Sequence, residues 1–213
     1  MKNNVFFVSG TDTGVGKSYA AGYLARVWNA SGCRTITQKL VQTGNTGVSE
    51  DIEVHRKIMG CGMFPEDEAG LTMPEIYSYP CSPHLAAEID GRPVDFQKIE
   101  ACTAALSERF DAVLLEGAGG LMVPLTRTLL TLDYVAEKGY PLILVTSGKL
   151  GSINHTLLSL EAAKHHGLHL KMLMFNMFPH ENDMTISDDT EKYLKDCLGT
   201  YCPDAEYMTV PLL

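Results

Sequence analysis

The sequence has no surplus of basic charge. Its 213 residues carry 17 Lys and Arg against 26 Asp and Glu, a net charge of −9, and no basic stripe that could follow a nucleic-acid backbone. A nucleic-acid partner is not expected, and a small anionic ligand would have to be caught by a few local groups. The six cysteines (Cys33, Cys61, Cys81, Cys102, Cys197, Cys202) form no Cys-x-x-Cys pair, so a zinc site is not expected. With no signal-peptide pattern ahead of the first apolar run, they read as reduced thiols of a cytoplasmic protein. No apolar run approaches the length of a membrane span; the longest, Pro141–Val145 with its flanks, has the length of a strand. Internal repeats and low-complexity tracts are also missing. The length suits one domain, 1–213.

What is present is an alternation of short apolar runs with helical periods. Val5–Ser9, Thr35–Val41, Ala112–Leu115, Leu142–Thr146 and Leu170–Phe175 are continuous apolar stretches of the kind buried on both faces. Between them, Lys17–Asn29, Asp51–Met59, Pro83–Glu88, Phe96–Arg109, Leu132–Glu137, Ile153–His165 and Asp188–Cys197 read as helices. The pattern predicts an α/β fold: a mostly parallel β-sheet flanked by helices on both faces, with ligands beyond the carboxyl ends of the strands. Gly60–Tyr79, rich in Gly, Pro, Met and acid, reads as an irregular excursion with a short edge strand at Ile76–Tyr79.

The first strand runs directly into Gly10-Thr-Asp-Thr-Gly-Val-Gly-Lys-Ser18, which opens a helix. This is the setting of a P-loop NTPase-like phosphate-binding loop. In such a loop backbone N–H groups turn inward around phosphate oxygens, Lys17 would reach the β/γ-phosphates, and the Ser18 hydroxyl would sit on Mg2+. The strict spacing would put the first glycine at Thr11, whereas Gly10 comes one residue early. The bland alternative is a tight turn with an exposed lysine.

Other polar groups fall near strand ends. Lys39 lies in an apolar strand, where a lysine needs an anionic partner or must snorkel to water from a sheet edge. Glu116 is followed by Gly117-Ala118-Gly119-Gly120, a carboxylate next to backbone that can approach a ligand closely, or a turn with an incidental acid. Asp51 opens a helix and by itself reads as its N-cap. Ser152-Ile153-Asn154 enters a helix whose N-terminus could receive a carboxylate. Asn176 ends a strand, where its amide could read a base edge or simply finish a turn.

Five segments together resemble the dethiobiotin synthetase family. They are Gly10–Ser18, Lys39-Leu-Val-Gln-Thr-Gly44, Ser82-Pro-His84, Glu116–Gly120 with Pro124-Leu125, and Lys149-Leu-Gly-Ser-Ile-Asn-His155, in the family's order and over nearly the whole chain. The resemblance implies an ATP- and Mg2+-dependent ligase that uses 7,8-diaminononanoate and CO2 or bicarbonate and works as a homodimer. It implies Lys39 as catalytic lysine with Lys17 and Thr13, and Ser18, Asp51 and Glu116 as oxygen ligands of Mg2+, overriding the cap reading of Asp51. Nucleotide contacts are implied for Gly14, Val15, Gly16, Lys17, Ser18, Tyr19, Asp51, Glu116, Gly117, Ala118, Gly119, Asn176 and Pro211. Substrate contacts are implied for Thr43, and for Ser152, Ile153 and Asn154 of the neighbouring subunit.

The chain also departs from the family's pattern. Leu40 stands where the family has proline, which is expected to loosen the strand exit, and Gly14 stands where some members have an acid. Asp183–Asp189 holds no counterpart of an aromatic residue that some members place near the substrate. Two rival readings share the phosphate loop. A partitioning-type ATPase switch would carry a second lysine where Asp12 stands. A small-molecule kinase would need neither Lys39 nor the Lys149–Asn154 segment.

Overall fold

The computed structural model describes residues 4–177 and 184–212. Six strands form one parallel sheet: β1 (Val5–Gly10), β2 (Thr35–Lys39), β5 (Ala112–Gly120), β6 (Leu142–Ser147), β7 (Leu170–Asn176) and β8 (Glu206–Val210), in the order β2-β5-β1-β6-β7-β8. A second, two-stranded sheet pairs β3 (Gln42–Thr43) with β4 (Ile76–Tyr77). The helices are α1 (Lys17–Ala30), α2 (Glu50–Met59), α3 (Pro65–Glu68), α4 (Pro83–Ile89), α5 (Phe96–Arg109), α6 (Thr131–Lys138), α7 (Ser152–His165) and α8 (Met184–Tyr201), with a 3-10 turn at Thr13–Val15. No described helix is long and apolar enough to cross a membrane.

The sheet's side chains alternate between two apolar layers. Val8, Leu114, Ile143 and Met174 pack against Ala21, Leu24 and Ala25 of α1, whereas Phe7, Leu115, Leu144 and Phe175 pack against Ile99 and Leu106 of α5, Leu160 of α7 and Leu194 of α8. A sheet covered on both faces needs apolar residues at every position, which is why its inner strands read as continuous runs. All six cysteines are free thiols.

The observed boundaries differ from the sequence reading where side-chain pattern is weak. β2 ends at Lys39, and the chain then leaves the main sheet to form β3. β5 runs on through Gly120, so Glu116 lies within a strand and not at its tip, with Gly10 opposite Gly120. β8 has no counterpart in the sequence pattern: its Tyr207, Met208 and Thr209 are only half-buried at the sheet edge, so no apolar run marks it. Within the presumed excursion, Pro65–Glu68 forms a helical turn, and the edge strand is confined to Ile76–Tyr77.

Candidate active site

The chemistry gathers at the carboxyl ends of β1, β2 and β5, the three adjacent strands on one side of the sheet. Gly10 is where it must be for the loop to turn: a Cβ there would lie 2.6 Å from Val15 Cγ1 and 2.9 Å from both Asp12 O and Lys17 Cγ. The early glycine therefore replaces the usual first one by allowing close approach of the loop's own far side. Asp12 Oδ1 accepts the Thr13 N–H at 2.7 Å, capping the 3-10 turn, and Gly16 (φ +80°) reverses the chain into α1. Lys17 is buried and donates through Nζ to Asp12 O (3.0 Å) and Thr13 O (3.4 Å). Burial lowers its pKa to about 8.

Lys39 and Glu116 are register partners on neighbouring strands, so their side chains leave the same face side by side. Although β2 is an edge strand, Lys39 is buried and does not reach for water. Its Nζ donates to Glu116 Oε1 (2.8 Å) and Gly117 O (3.1 Å), and pairs with the Asp51 carboxylate. Burial alone would lower the Lys39 pKa, but Glu116 and Asp51 outweigh it and hold the ammonium above its ordinary value. Glu116 is completely buried. Burial alone would raise its carboxyl, yet Lys39 and His55 beside it hold it well below the usual carboxylate range.

Asp51 does not cap α2. Ser49 does, its Oγ accepting from Ile52 N at 3.3 Å. The Asp51 carboxylate is thereby left to the site, where Ser18 Oγ lies 2.8 Å from its Oδ1 and 2.9 Å from Glu116 Oε1. One hydroxyl proton cannot serve both acceptors. Three hard oxygens thus converge on one place, a donor set that suits Mg2+. The expectation about Leu40 is overturned: its backbone N–H donates to Glu116 O at 2.8 Å. Proline has no such hydrogen, so leucine fastens the strand exit and does not loosen it.

Lys17, Ser18, Lys39, Thr43, Asp51 and Glu116 share a cavity of about 220 Å³, with Thr13, Gly16, Ala118 and Gly119 also on its wall. The amino end of α7 lies across the phosphate loop from it. There Ser152 lines a separate pocket with Gly14 and Val15, its Oγ 3.3 Å from Ser147 Oγ, while Lys149 Nζ reaches Gly14 O at 3.5 Å. Ile153 and Asn154 line neither space; Ile153 is half-buried and Asn154 exposed. Tyr19 and Pro211 come together, the phenol donating to Pro211 O at 3.1 Å. Asn176 is buried, and its Nδ2 donates to Val15 O (3.0 Å) and Gly16 O (3.4 Å), tying β7 to the phosphate loop. Asp183 lies outside the described residues, and Met184–Asp189 is the start of α8.

Sequence reasoning missed His55. It is completely buried, with Nε2 2.6 Å from Glu116 Oε2. The signal was its position four residues after Asp51, which puts both on one face of α2.

A family model described as an AAA domain matches residues 4–199. The ATP-dependent dethiobiotin synthetase BioD 2 of Pasteurella multocida is 47% identical over 209 residues, covering 98% of this chain and 98% of that protein. The chain belongs to the dethiobiotin synthetase family. A second family member, the ATP-dependent dethiobiotin synthetase BioD 2 of Haemophilus influenzae, is 53% identical over 175 residues, 82% of this chain and 92% of that protein. Among solved structures, a ParA family ATPase from Chlorobium tepidum TLS superposes with a TM-score of 0.53 at 12% identity, over 99% of this chain and 85% of that one. The hydrogenase maturation factor HypB of Archaeoglobus fulgidus gives 0.52 at 13%, over 97% and 80%. These two likenesses are of fold, and they agree with the expected P-loop NTPase-like sheet.

Proposed function

We propose that this protein, as one phosphate-loop domain over 1–213, closes the ureido ring of dethiobiotin from 7,8-diaminononanoate, CO2 and ATP. The observation that carries the reading is the buried Lys39 ammonium between Glu116 and Asp51, in the same cavity as Lys17 and Ser18. Family membership supplies the substrate.

The reaction requires one amine of the substrate to become a carbamate, whose oxygen attacks the γ-phosphorus and displaces ADP. The second amine then attacks the carbamate carbon and expels phosphate, closing the ring. Each step crowds negative charge, and phosphoryl transfer is helped chiefly by positioning and charge stabilisation. Lys17 and the loop backbone Gly14–Ser18 hold the phosphates. Lys39 faces the carbamate and the transferring phosphoryl group, and the hydroxyls of Thr13 and Thr43 orient the reacting groups. Ser18, Asp51 and Glu116 would hold Mg2+, which when bound neutralises phosphate oxygens. The Gly117–Gly119 backbone borders the nucleotide, and Tyr19, Asn176 and Pro211 stand on its base side.

The carboxylate end of the substrate is assigned to Ser152, Ile153 and Asn154 of a second copy, at the amino end of α7. Large exposed apolar side chains lie on or beside α7, namely Leu150 (84% exposed) just ahead of it, Leu158 (61%) on it and Met122 (59%), which shares a cavity with Leu158, and they support a homodimer that covers them. Six free thiols fit a protein of the cytoplasm. The partitioning-ATPase alternative lacks its second lysine, since Asp12 spends its carboxylate on the turn.

The test is phosphate release from ATP with and without diamine and bicarbonate, together with product analysis. A ligase releases phosphate and the ring only when both are present. Rapid phosphate release that ignores them, or a stable phosphorylated product, refutes the reading.

A further inference from the structure

We propose that His55 is a positioning residue for the Mg2+ site: its Nε2–H donates to Glu116 Oε2 and fixes the carboxylate so that Oε1 alone faces Ser18 and Lys39. The inference rests on the assignment of Ser18, Asp51 and Glu116 as metal ligands under the proposed function.

The two oxygens of Glu116 are divided between two kinds of partner. Oε1 takes Lys39 Nζ at 2.8 Å and lies 2.9 Å from Ser18 Oγ, while Oε2 takes His55 Nε2 at 2.6 Å. Neither side chain has any exposed surface. A carboxylate is an acceptor only, and Glu116 takes the Lys39 ammonium on its other oxygen, so the hydrogen of this bond belongs to His55 Nε2. His55 Nδ1 is buried and has no hydrogen-bond partner among the described residues. The imidazole is thereby committed to a single side-chain bond, through Nε2.

The backbone holds the imidazole at that reach. His55 sits one helical turn after Asp51 on α2, so one helix delivers a proposed ligand and the group that orients another. The helix is pressed against α1 at this residue: a Cβ on Gly22 would lie 3.1 Å from His55 Cα and 3.3 Å from His55 O. Without the imidazole, Glu116 keeps its charge and its Lys39 partner but loses the bond that fixes the rotation of its carboxylate. Partners of this kind that orient ligating carboxylates typically change metal affinity about 10- to 100-fold when removed.

The experiment compares His55→Gln, His55→Asn and His55→Leu in the full chain. Mn2+ binding in the presence of ADP is followed by the loss of the free-ion electron paramagnetic resonance signal. ADP affinity without metal and thermal unfolding are measured alongside. The Gln amide nitrogen reaches the place of Nε2, whereas Asn is too short and Leu has no donor. Gln should bind Mn2+ close to the parent, and Asn and Leu about 10- to 100-fold more weakly, with metal-free ADP affinity unchanged. Parent-like Mn2+ binding in Asn and Leu, or equal weakening in Gln, overturns the proposal and leaves His55 a packing residue. If the Leu protein does not fold, the Gln and Asn pair decides by the same criterion. No diamine enters these measurements, so failure of the ligase reading would show separately, as absent ring product with the metal results intact.

Discussion

Lys39→Met removes the charge at the centre of the site while keeping most of the buried stem. The structure sets two effects to be measured separately. Glu116 is wholly buried and would lose its 2.8 Å partner, and Asp51, whose side chain is 25% exposed, would lose the same one. Truncating one member of a buried charge pair typically destabilises by about 3–5 kcal/mol. The exposure of Asp51 places the expectation near the lower figure, because water screens part of the repulsion between the two acids. Added Mg2+ should restore part of this stability, since a divalent cation can take over both carboxylates. The kinetic effect is distinct. Loss of a preorganised charge aimed at a developing one costs about 10²- to 10³-fold in kcat, roughly 3–4 kcal/mol. Nucleotide affinity should change little, because Lys17, bonded to the loop carbonyls Asp12 O and Thr13 O, is the lysine of the phosphate loop. Denaturant unfolding, steady-state turnover and ATP calorimetry on one protein preparation separate the three. Parent-like turnover would remove Lys39 from the chemistry. A large loss of ATP affinity with kcat unchanged would reassign it to the nucleotide grip.

Gly117→Ala should destabilise by about 1–3 kcal/mol, because its Cβ would lie 2.7 Å from Phe7 Cζ in the core; an unchanged denaturation midpoint would contradict that packing. Asp67 is buried on Arg56 Nε (2.8 Å) and Nη2 (2.7 Å) and on Thr72 Oγ1 (2.6 Å), and these bonds outweigh burial to hold its carboxyl below the ordinary 3.8. The folded state then binds fewer protons than the unfolded chain, so its contribution is complete above that ordinary value and is lost as pH falls through the lowered one. The stability gap between the parent and Asp67→Asn should therefore narrow from pH 7 to pH 3, and a constant gap would refute the assignment. For the shared site, Lys39→Ala and Asn154→Asp proteins should each be inactive, and mixing them with subunit exchange should restore about a quarter of parent activity, since random pairing makes half the dimers mixed with one intact site each. No recovery after verified exchange would place each site within a single chain.

The inner strands are legible because burial on both faces demands an apolar residue at every step. The same physics hides what lies at the edges. β8 runs from exposed Glu206 through half-buried Tyr207, Met208 and Thr209 to a single buried residue, Val210, and the tail of β5 is glycine and alanine. Glycine carries no side-chain pattern at all, yet Gly10 lies opposite Gly120 across β1 and β5, beyond an irregularity in the register after Val8. The apolar pattern runs two residues past the end of β2 because Leu40 and Val41 are as buried as strand residues, although they belong to the crossing between the two sheets.

The site divides along a similar line. Gly10–Ser18 is local, so its chemistry follows from consecutive residues. Asp51 and His55 are also local, but a histidine on the inner face of a helix looks like packing until its partner is known, and that partner is 61 residues away. Lys39 and Glu116 are 77 residues apart and meet only because β2 adds beside β5 and not beside β1. Neither residue says this alone: a lysine in an edge strand has water as an easy alternative, and an acid before glycines suits a turn. Each becomes intelligible through the other, since burying either by itself would leave an unpaired charge. Spacing rules find groups that share a helix, whereas strand order is needed to find groups that share a sheet. The two meet here at Glu116, which holds a sheet neighbour on one oxygen and a helix residue on the other.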